Sequence, residues 1–360
     1  MATSGEERKY RAVANELRDN ILAGRYAPGT VFPSVKMLCR RFGISHLTAA
    51  KVIETLKGMG LVHTRNGVGT FVTRRMKSIG LIIVSMLGQI DILPPIAREI
   101  SRLAQKGGVG LDFADMSTDF SEKDDAVVIE AAHRMVAAGV SGAIFRPADF
   151  GAKAASVNRE VLNIFSKAGV PLVLLDFDIG STARDLRHDF VGVDNREVGE
   201  MAGRHVLERG AKSVAFVTWS EMCCNVEQRL SGILSALARK RGVRLAGQYI
   251  MMRDGAAMEK KWKTHLPDAI VCSSDLVAAR VLKILLKIGK SCPQDVFVTG
   301  VNDADLATLV SPPLTTVHQP CEAIARAALE TLLWRMENPA AETRRILVAT
   351  DLVIRESTTR

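Results

Sequence analysis

The chain has 360 residues, 47% hydrophobic and 24% charged, enough apolar material for two or three packed domains and too much for a disordered chain. Its formal charge is +9 and sits at one end: residues 1–77 hold 14 Lys/Arg against 5 Asp/Glu, while the rest holds 34 of each. A small basic module ahead of a neutral body points to a polyanionic partner, first of all nucleic acid.

In chain order, Tyr10, Val13, Ala14, Leu17 and Ile21 recur at helical spacing and predict a first helix, followed by Gly24 and a Pro28-Gly29 turn. Pro33-Ser34 opens a second helix that buries Val35, Leu38, Cys39 and Phe42 and stops at Gly43. Ser45 caps a third, whose inner face is Ala49, Val52, Ile53 and Leu56, and Gly58 and Gly60 close it. Leu61–Thr64 and Thr70–Thr73 read as two strands around Arg65-Asn66-Gly67, a strong hairpin signal because both turn residues accept positive φ. Three helices and a basic hairpin form a winged helix-turn-helix over residues 1–75, with the third helix set to enter a major groove. The alternative is a small helical domain with a solvated basic face. Arg40, Arg41, Lys51 and Arg65 are candidate phosphate contacts.

Residues 76–78 form a short joint. From 79 onward apolar runs (Ile79–Ser85, Gly142–Phe145, Pro171–Leu175, Val214–Thr218, Asp268–Cys272, Val296–Thr299) alternate with helical patterns (Pro95–Gln105, Asp124–Ala138, Arg196–Arg209, Glu227–Arg241, Val277–Ile288). That alternation gives an α/β fold with parallel sheets, and about eight units divide more naturally between two lobes than in one sheet. Ligands bind beyond the carboxyl ends of parallel strands, so Ser85, Asp115, Arg146, Asp176, Trp219, Asp275 and Asn302 are candidate pocket residues. For Trp219 the choice is stacking on a ligand face or packing in the core.

No catalytic pattern stands out. The strand-to-helix turns lack G-x-G-x-x-G and GK[ST], and there is no H-E-x-x-H or G-x-S-x-G. The pairs Asp176/Asp178 and Asp303/Asp305 could be read as glycosidase carboxylates, with nothing else in support. Six cysteines form no C-x-x-C pair, so neither a disulfide framework nor a metal site is indicated. MATSGEERKY lacks a signal-peptide core, and Ile79–Gly88 is about half the ~20 apolar residues that span a bilayer. The expectation is a cytoplasmic protein with no membrane partner and no cofactor.

Two resemblances sharpen this reading. FPSVKMLCRRFGISHLTAAKVIETLKGMGLVHTRNGVGTFV resembles the GntR-type DNA-binding domain. That likeness implies DNA contacts at Lys36, His46, Thr48, Lys51, Arg65, Asn66 and Gly67, with Ser34, Arg40 and Ser45 in the same set. Lys36 and His46 stand where that family usually has Arg, and its second recognition-helix Arg is Ala50 here. Residues 79–358 resemble the LacI/GalR-type effector domain, related to periplasmic sugar-binding proteins, through GVSGAIFRPAD, GVPLVLLD, VGVDNREVGEMAGRHVLERGAKSVAFV, RLSGILSAL, PDAIVCSSDLVAARVLKIL, DVFVTGVNDAD, PPLTTVHQP and LVIREST in family order. Such a head on such a body is the layout of arabinose-repressor-type regulators.

This second likeness implies a two-lobed periplasmic-binding-protein-like sensor and dimerisation domain, 79–360, with chain crossings near 190–194, 314–318 and 340–346. It places an effector, a carbohydrate, against Asp176, Arg229, Asp275 and Asn302. Ser274 and Asn302 replace the family's usual Asn and Asp. Arg229 could instead form an inter-lobe salt bridge. The function implied is a repressor that binds double-stranded DNA at a palindromic operator as a homodimer. A solute-binding protein and a sugar-active enzyme are the alternatives from other classes.

Overall fold

The head builds its core from three helices, α1 (Thr3–Leu22), α2 (Val35–Phe42) and α3 (His46–Gly58), and a hairpin of β1 (Val62–Arg65) and β2 (Gly69–Val72). In the computed structural model the described residues are 3–22, 25–59, 61–65, 67–72, 78–86, 92–118, 122–149, 153–179, 188–219 and 223–360. The helix starts follow from capping: Ser34 Oγ accepts Met37 N–H at 3.3 Å and Ser45 Oγ accepts Thr48 N–H at 3.2 Å. These bonds satisfy amide groups that the first helical turn leaves without partners. Gly43, at φ 60°, ends α2 in a left-handed conformation that costs a residue with a Cβ more. Val13, Ala14 and Leu17 of α1 pack with Leu38 and with Ala49, Val52, Ile53 and Leu56 of α3, as the helical spacing predicts. The hairpin pairs Val62 with Val72 through Arg65 with Gly69. Gly24, Gly60, Thr73 and Asn66 lie outside the described residues.

The chain forms two compact units, Met1–Lys77 and Ser78–Arg360. The second contains two six-stranded sheets. Its elements run β3 (Ser78–Met86), α4 (Leu93–Lys106), β4 (Gly110–Thr118), α5 (Glu122–Ala138), β5 (Gly142–Arg146), α6 (Ala154–Lys167), β6 (Leu172–Leu175), β7 (Asp189–Gly192), α7 (Asn195–Glu208), β8 (Ser213–Thr218), α8 (Cys224–Ala238), β9 (Arg244–Ile250), α9 (Met251–Trp262), β10 (Ala269–Cys272), α10 (Asp275–Lys287), β11 (Phe297–Asn302), α11 (Leu306–Leu309), β12 (Thr315–His318), α12 (Cys321–Glu337), β13 (Arg345–Leu347) and β14 (Asp351–Val353). The first sheet is ordered β13-β7-β6-β5-β3-β4 and the second β14-β12-β11-β10-β8-β9. All pairings in them are parallel except β12 with β14.

The chain passes between sheets three times. The first passage, after β7, lies at 193–194. The second and third lie at 319–320 and 348–350, a few residues beyond the 314–318 and 340–346 inferred from sequence, because β12 and β13 themselves occupy much of those stretches. One apolar cluster runs across both lobes, from Ile79 and Ile144 through Ile324 and Val206 to Val271 and Val317.

Helices α7 and α8 cross almost backbone to backbone. A Cβ on Gly199 would meet Arg229 O at 1.9 Å, and one on Gly232 would meet Arg196 O at 1.9 Å. No side chain larger than hydrogen fits at either place. The approach matters because Arg229 stands one turn before Gly232 on α8. Gly232→Ala is therefore expected to cost roughly 1–3 kcal/mol or more by overpacking. Gly255→Ala, in α9 with open space around it, should gain up to ~1 kcal/mol from helix propensity. Urea unfolding of the two variants checks both signs.

Candidate functional site

The exits of parallel strands from both sheets meet in one cleft, because each βα unit turns at the same end of its sheet. Arg146 ends β5, Asp176 follows β6, Trp219 follows β8, and Asn302 ends β11. These four, with Arg229, line one cavity of about 80 Å³. Asn302 and Gln319 also line a second, wider groove of about 840 Å³.

Arg146 is buried. Its guanidinium forms a two-pronged bond to Asp149, with Nη1 donating to Oδ1 at 2.9 Å and Nη2 to Oδ2 at 2.6 Å, and Nη1 also donates to the Val84 carbonyl at 2.8 Å. It lies 3.8 Å from Asp176 Oδ2. Asp176 is held at φ 60°, its amide donating to Val191 O at 2.8 Å and its carbonyl accepting Asn225 Nδ2 at 3.0 Å. Burial pushes its carboxyl above the usual carboxylate range, with the charges of Arg146 and Arg229 working the other way. On the facing side Arg229 Nε donates to Asn195 Oδ1 at 2.8 Å and Nη1 to the Ser273 carbonyl at 2.6 Å, so its fork ties the starts of α7 and α10 together. Asn302 sits at φ 116° and accepts Gln319 Nε2 at 3.0 Å.

Two buried acceptors in this cavity, Asp176 Oδ1 and Gln319 Oε1, accept no hydrogen bond. A buried acceptor left so is costly, and a ligand that donates to it recovers that cost. Trp219 is half-buried at the edge, with the Arg280 guanidinium 4.0 Å from its ring centre. Cys223 lines the same space, and burial raises its thiol to about 11, so the cleft holds a neutral thiol.

Asp275 does not line the cavity. It is 1% exposed, with Oδ1 accepting Thr316 Oγ1 at 2.6 Å and Oδ2 accepting Ala304 N–H at 2.9 Å. Gly300 leaves it that room, since a Cβ there would stand 2.1 Å from Asp275 Oδ1. Its place at the start of a helix, capped by Ser274, turns the carboxylate into a brace for the loop after β11. Asp115 is not at a strand exit either: it lies within β4, opposite Ile83. Ser85 is the penultimate residue of β3. The sequence reading missed Asp149, Asn225 and Gln319. Asp149 could have been found three residues after Arg146. Gln319 could have been found beyond the Leu314–His318 run, which was not counted as a strand.

In the head, Ser34 and Ser45 spend their hydroxyls on helix caps, and Thr48 Oγ1 lies 2.8 Å from Ser45 Oγ. Lys36, Arg40, His46, Lys51, Arg65 and Gly67 are all exposed. The Lys51 ammonium lies 4.2 Å from the Tyr10 ring centre, and the Arg65 guanidinium 5.3 Å from that of Phe71. Gly67, at φ 76°, turns the hairpin. Among the described residues no cluster of His, Cys, Asp and Glu could hold a metal ion, and no helix is long and apolar enough to cross a membrane.

Residues 9–72 match the family described as Bacterial regulatory proteins, gntR family, and residues 204–358 match the Periplasmic binding protein-like domain. The arabinose metabolism transcriptional repressor of Halalkalibacterium halodurans is 24% identical over 98% of this chain and 97% of its own length. The solved transcriptional regulator CelR-cellobiose complex is similar at TM-score 0.66 and 22% identity, covering 91% of this chain and 100% of that one. The lac repressor dimer bound to operator and the anti-inducer ONPF is similar at TM-score 0.65 and 18% identity, over 79% of this chain and 94% of that one. The chain therefore carries a match to the gntR family in its first unit and a match to the periplasmic binding protein-like domain over the latter part of its second.

Burial raises the Asp275 carboxyl from 3.8 to about 6. Folding then favours its protonated form, so its contribution to stability is full below about 3.8 and is lost as pH rises through about 6. Asp275→Asn removes this titration and keeps an acceptor for Ala304 N–H. It should gain stability relative to the parent as pH rises across that window. Urea midpoints of both proteins at the two ends of the window check it, and parallel profiles would overturn it.

Proposed function

We propose that this chain, a gntR-type head on a periplasmic-binding-protein-like body, is a transcriptional repressor whose hold on a palindromic operator is set by a neutral carbohydrate bound between the lobes of the body. The observation that carries the effector class is the pair of buried acceptors, Asp176 Oδ1 and Gln319 Oε1, on the walls of a cleft whose arginines already have protein partners. Hydroxyl groups supply the donors those atoms need. A carboxylate or phosphate only accepts, and would leave both of these atoms unmet.

Each residue then has a role. Asp176 and Gln319 accept ligand hydroxyls, Arg146 and Arg229 hold the carboxyl and amide groups around them in place, Asn302 orients Gln319, and Trp219 offers an apolar face. A cavity of about 80 Å³ has room for a few water molecules, so a sugar enters as the lobes part and is held as they close on it. The effector regulates DNA binding only by preferring one lobe arrangement. A coupling of ~1–3 kcal/mol changes operator affinity ~5–150-fold.

Two bodies dimerised, as in the lac repressor dimer on its operator, give two heads and hence a two-fold DNA site. In the head the third helix reads bases, while Lys36, Arg40, Lys51 and Arg65 meet phosphates. Asn66 and Gly67 complete the set of proposed DNA contacts.

Thermal shift over neutral sugars and their acidic derivatives, followed by operator binding with each hit, tests this reading. A neutral sugar should stabilise the chain and change operator affinity, and Asp176→Asn should lose both responses while still binding DNA. Stabilisation by acidic sugars or phosphates alone would overturn it. Arg65→Ala should weaken binding to all sequences alike and reduce the slope of log K against log salt by about 1 per head, about 2 for the dimer.

A further inference from the structure

Among the described residues the most exposed large apolar side chain is Leu47, at 84%. It belongs to the first turn of α3, just after His46 and the cap Ser45. The helix buries Ala49, Val52, Ile53 and Leu56. At 100° per residue the direction opposite that face is shared by Leu47, Lys51 and Glu54, with Ala50 beside them. Leu47 thus stands at the crest of the outward ridge, at the helix end that reaches base edges when such a helix enters a groove. The only charged groups on this ridge are one lysine and one glutamate, and residues 1–77 together carry the whole +9.

A scattered surface leucine needs no explanation in general. This one stands at the exposed crest of the first turn of a helix in which Ala50 stands where the resembled family has arginine. Arginine in the major groove reads guanine. Leucine and alanine can make neither hydrogen bond, and the large apolar group that base edges offer them there is the 5-methyl of thymine.

Resting on the DNA-reading head proposed above, we infer that Leu47, with Ala50 beside it, selects thymine in each half-site by packing on its 5-methyl group. The contact excludes water from both apolar surfaces. Cytosine presents no methyl there, and a purine puts polar acceptors against the leucine.

The test uses the full chain and DNA alone. Selection from random duplex DNA gives the preferred site, and each thymidine in it is then replaced in turn by deoxyuridine, which removes the methyl and keeps the base pair. One position per half-site should lose affinity about fourfold, the worth of burying one methyl-sized group. In Leu47→Ala that loss should shrink to nothing at the same position, with an unchanged urea midpoint showing that the head still folds. The inference is overturned if no uracil substitution matters, if the selected half-site has no fixed thymine, or if Leu47→Ala keeps the full uracil penalty. A selection that enriches no sequence removes the DNA reading itself and this inference with it, whereas an enriched sequence indifferent to uracil removes this inference alone.

Discussion

The body of this protein is organised around charge taken out of water. Arg146 and Asp176 are 5% and 6% exposed, and Arg229 is 9% exposed. Burying such groups is affordable only when each is paired or hydrogen-bonded, and the partners here come from distant parts of the chain. Val84 O closes on Arg146 from β3, Asn195 on Arg229 from α7, and Ser273 O from the strand exit after β10. The geometry of the cleft is therefore a consequence of desolvation. Arg146 finds its partners within the first lobe and Arg229 within the second, and Asn225 Nδ2 donating to the Asp176 carbonyl joins the two sides. The two acceptors that the protein leaves unmatched are where a ligand has most to gain.

The same constraint explains the close approach of α7 and α8. A guanidinium has a fixed reach, and Arg229 must span from Asn195 to the Ser273 carbonyl. Gly199 and Gly232 let the helices touch, which brings the root of Arg229 near enough to do so. The glycines act through backbone proximity, and the arginine converts that proximity into a link across the start of the second lobe. A similar economy holds at Asp275, where Gly300 makes room for a carboxylate that braces a loop instead of meeting ligand.

The head solves a different problem. A module this small has one modest core, and its helix ends are set by Ser34, Gly43 and Ser45 with backbone hydrogen bonds. Those devices are local. That locality is why the sequence predicted them residue by residue, down to the inner face of α3. The strands β3, β5, β6, β8, β10 and β11 were legible for a related reason: central parallel strands are buried on both faces and read as continuous apolar runs. The edge strands β4, β9, β13 and β14 were not, because they alternate polar and apolar residues or are only three residues long. Missing β4 displaced Asp115 from its expected strand exit, and missing β12 and β13 shifted two of the three crossings.

What the sequence by itself determined is what depends on neighbours along the chain: the basic head and neutral body, the winged helix-turn-helix, the α/β alternation, and four pocket residues at the ends of apolar runs together with Arg229 from its motif. What only the tertiary structure decided is which of those side chains face one another. Asp275 and Asp176 are both aspartates just past a buried strand, and nothing local separates them. One accepts Thr316 and Ala304 and is consumed in bracing a loop, while the other keeps an oxygen without a donor in the cleft. The difference lies in groups dozens of residues away, because hydrogen-bond satisfaction in a buried site is a property of the assembled surroundings.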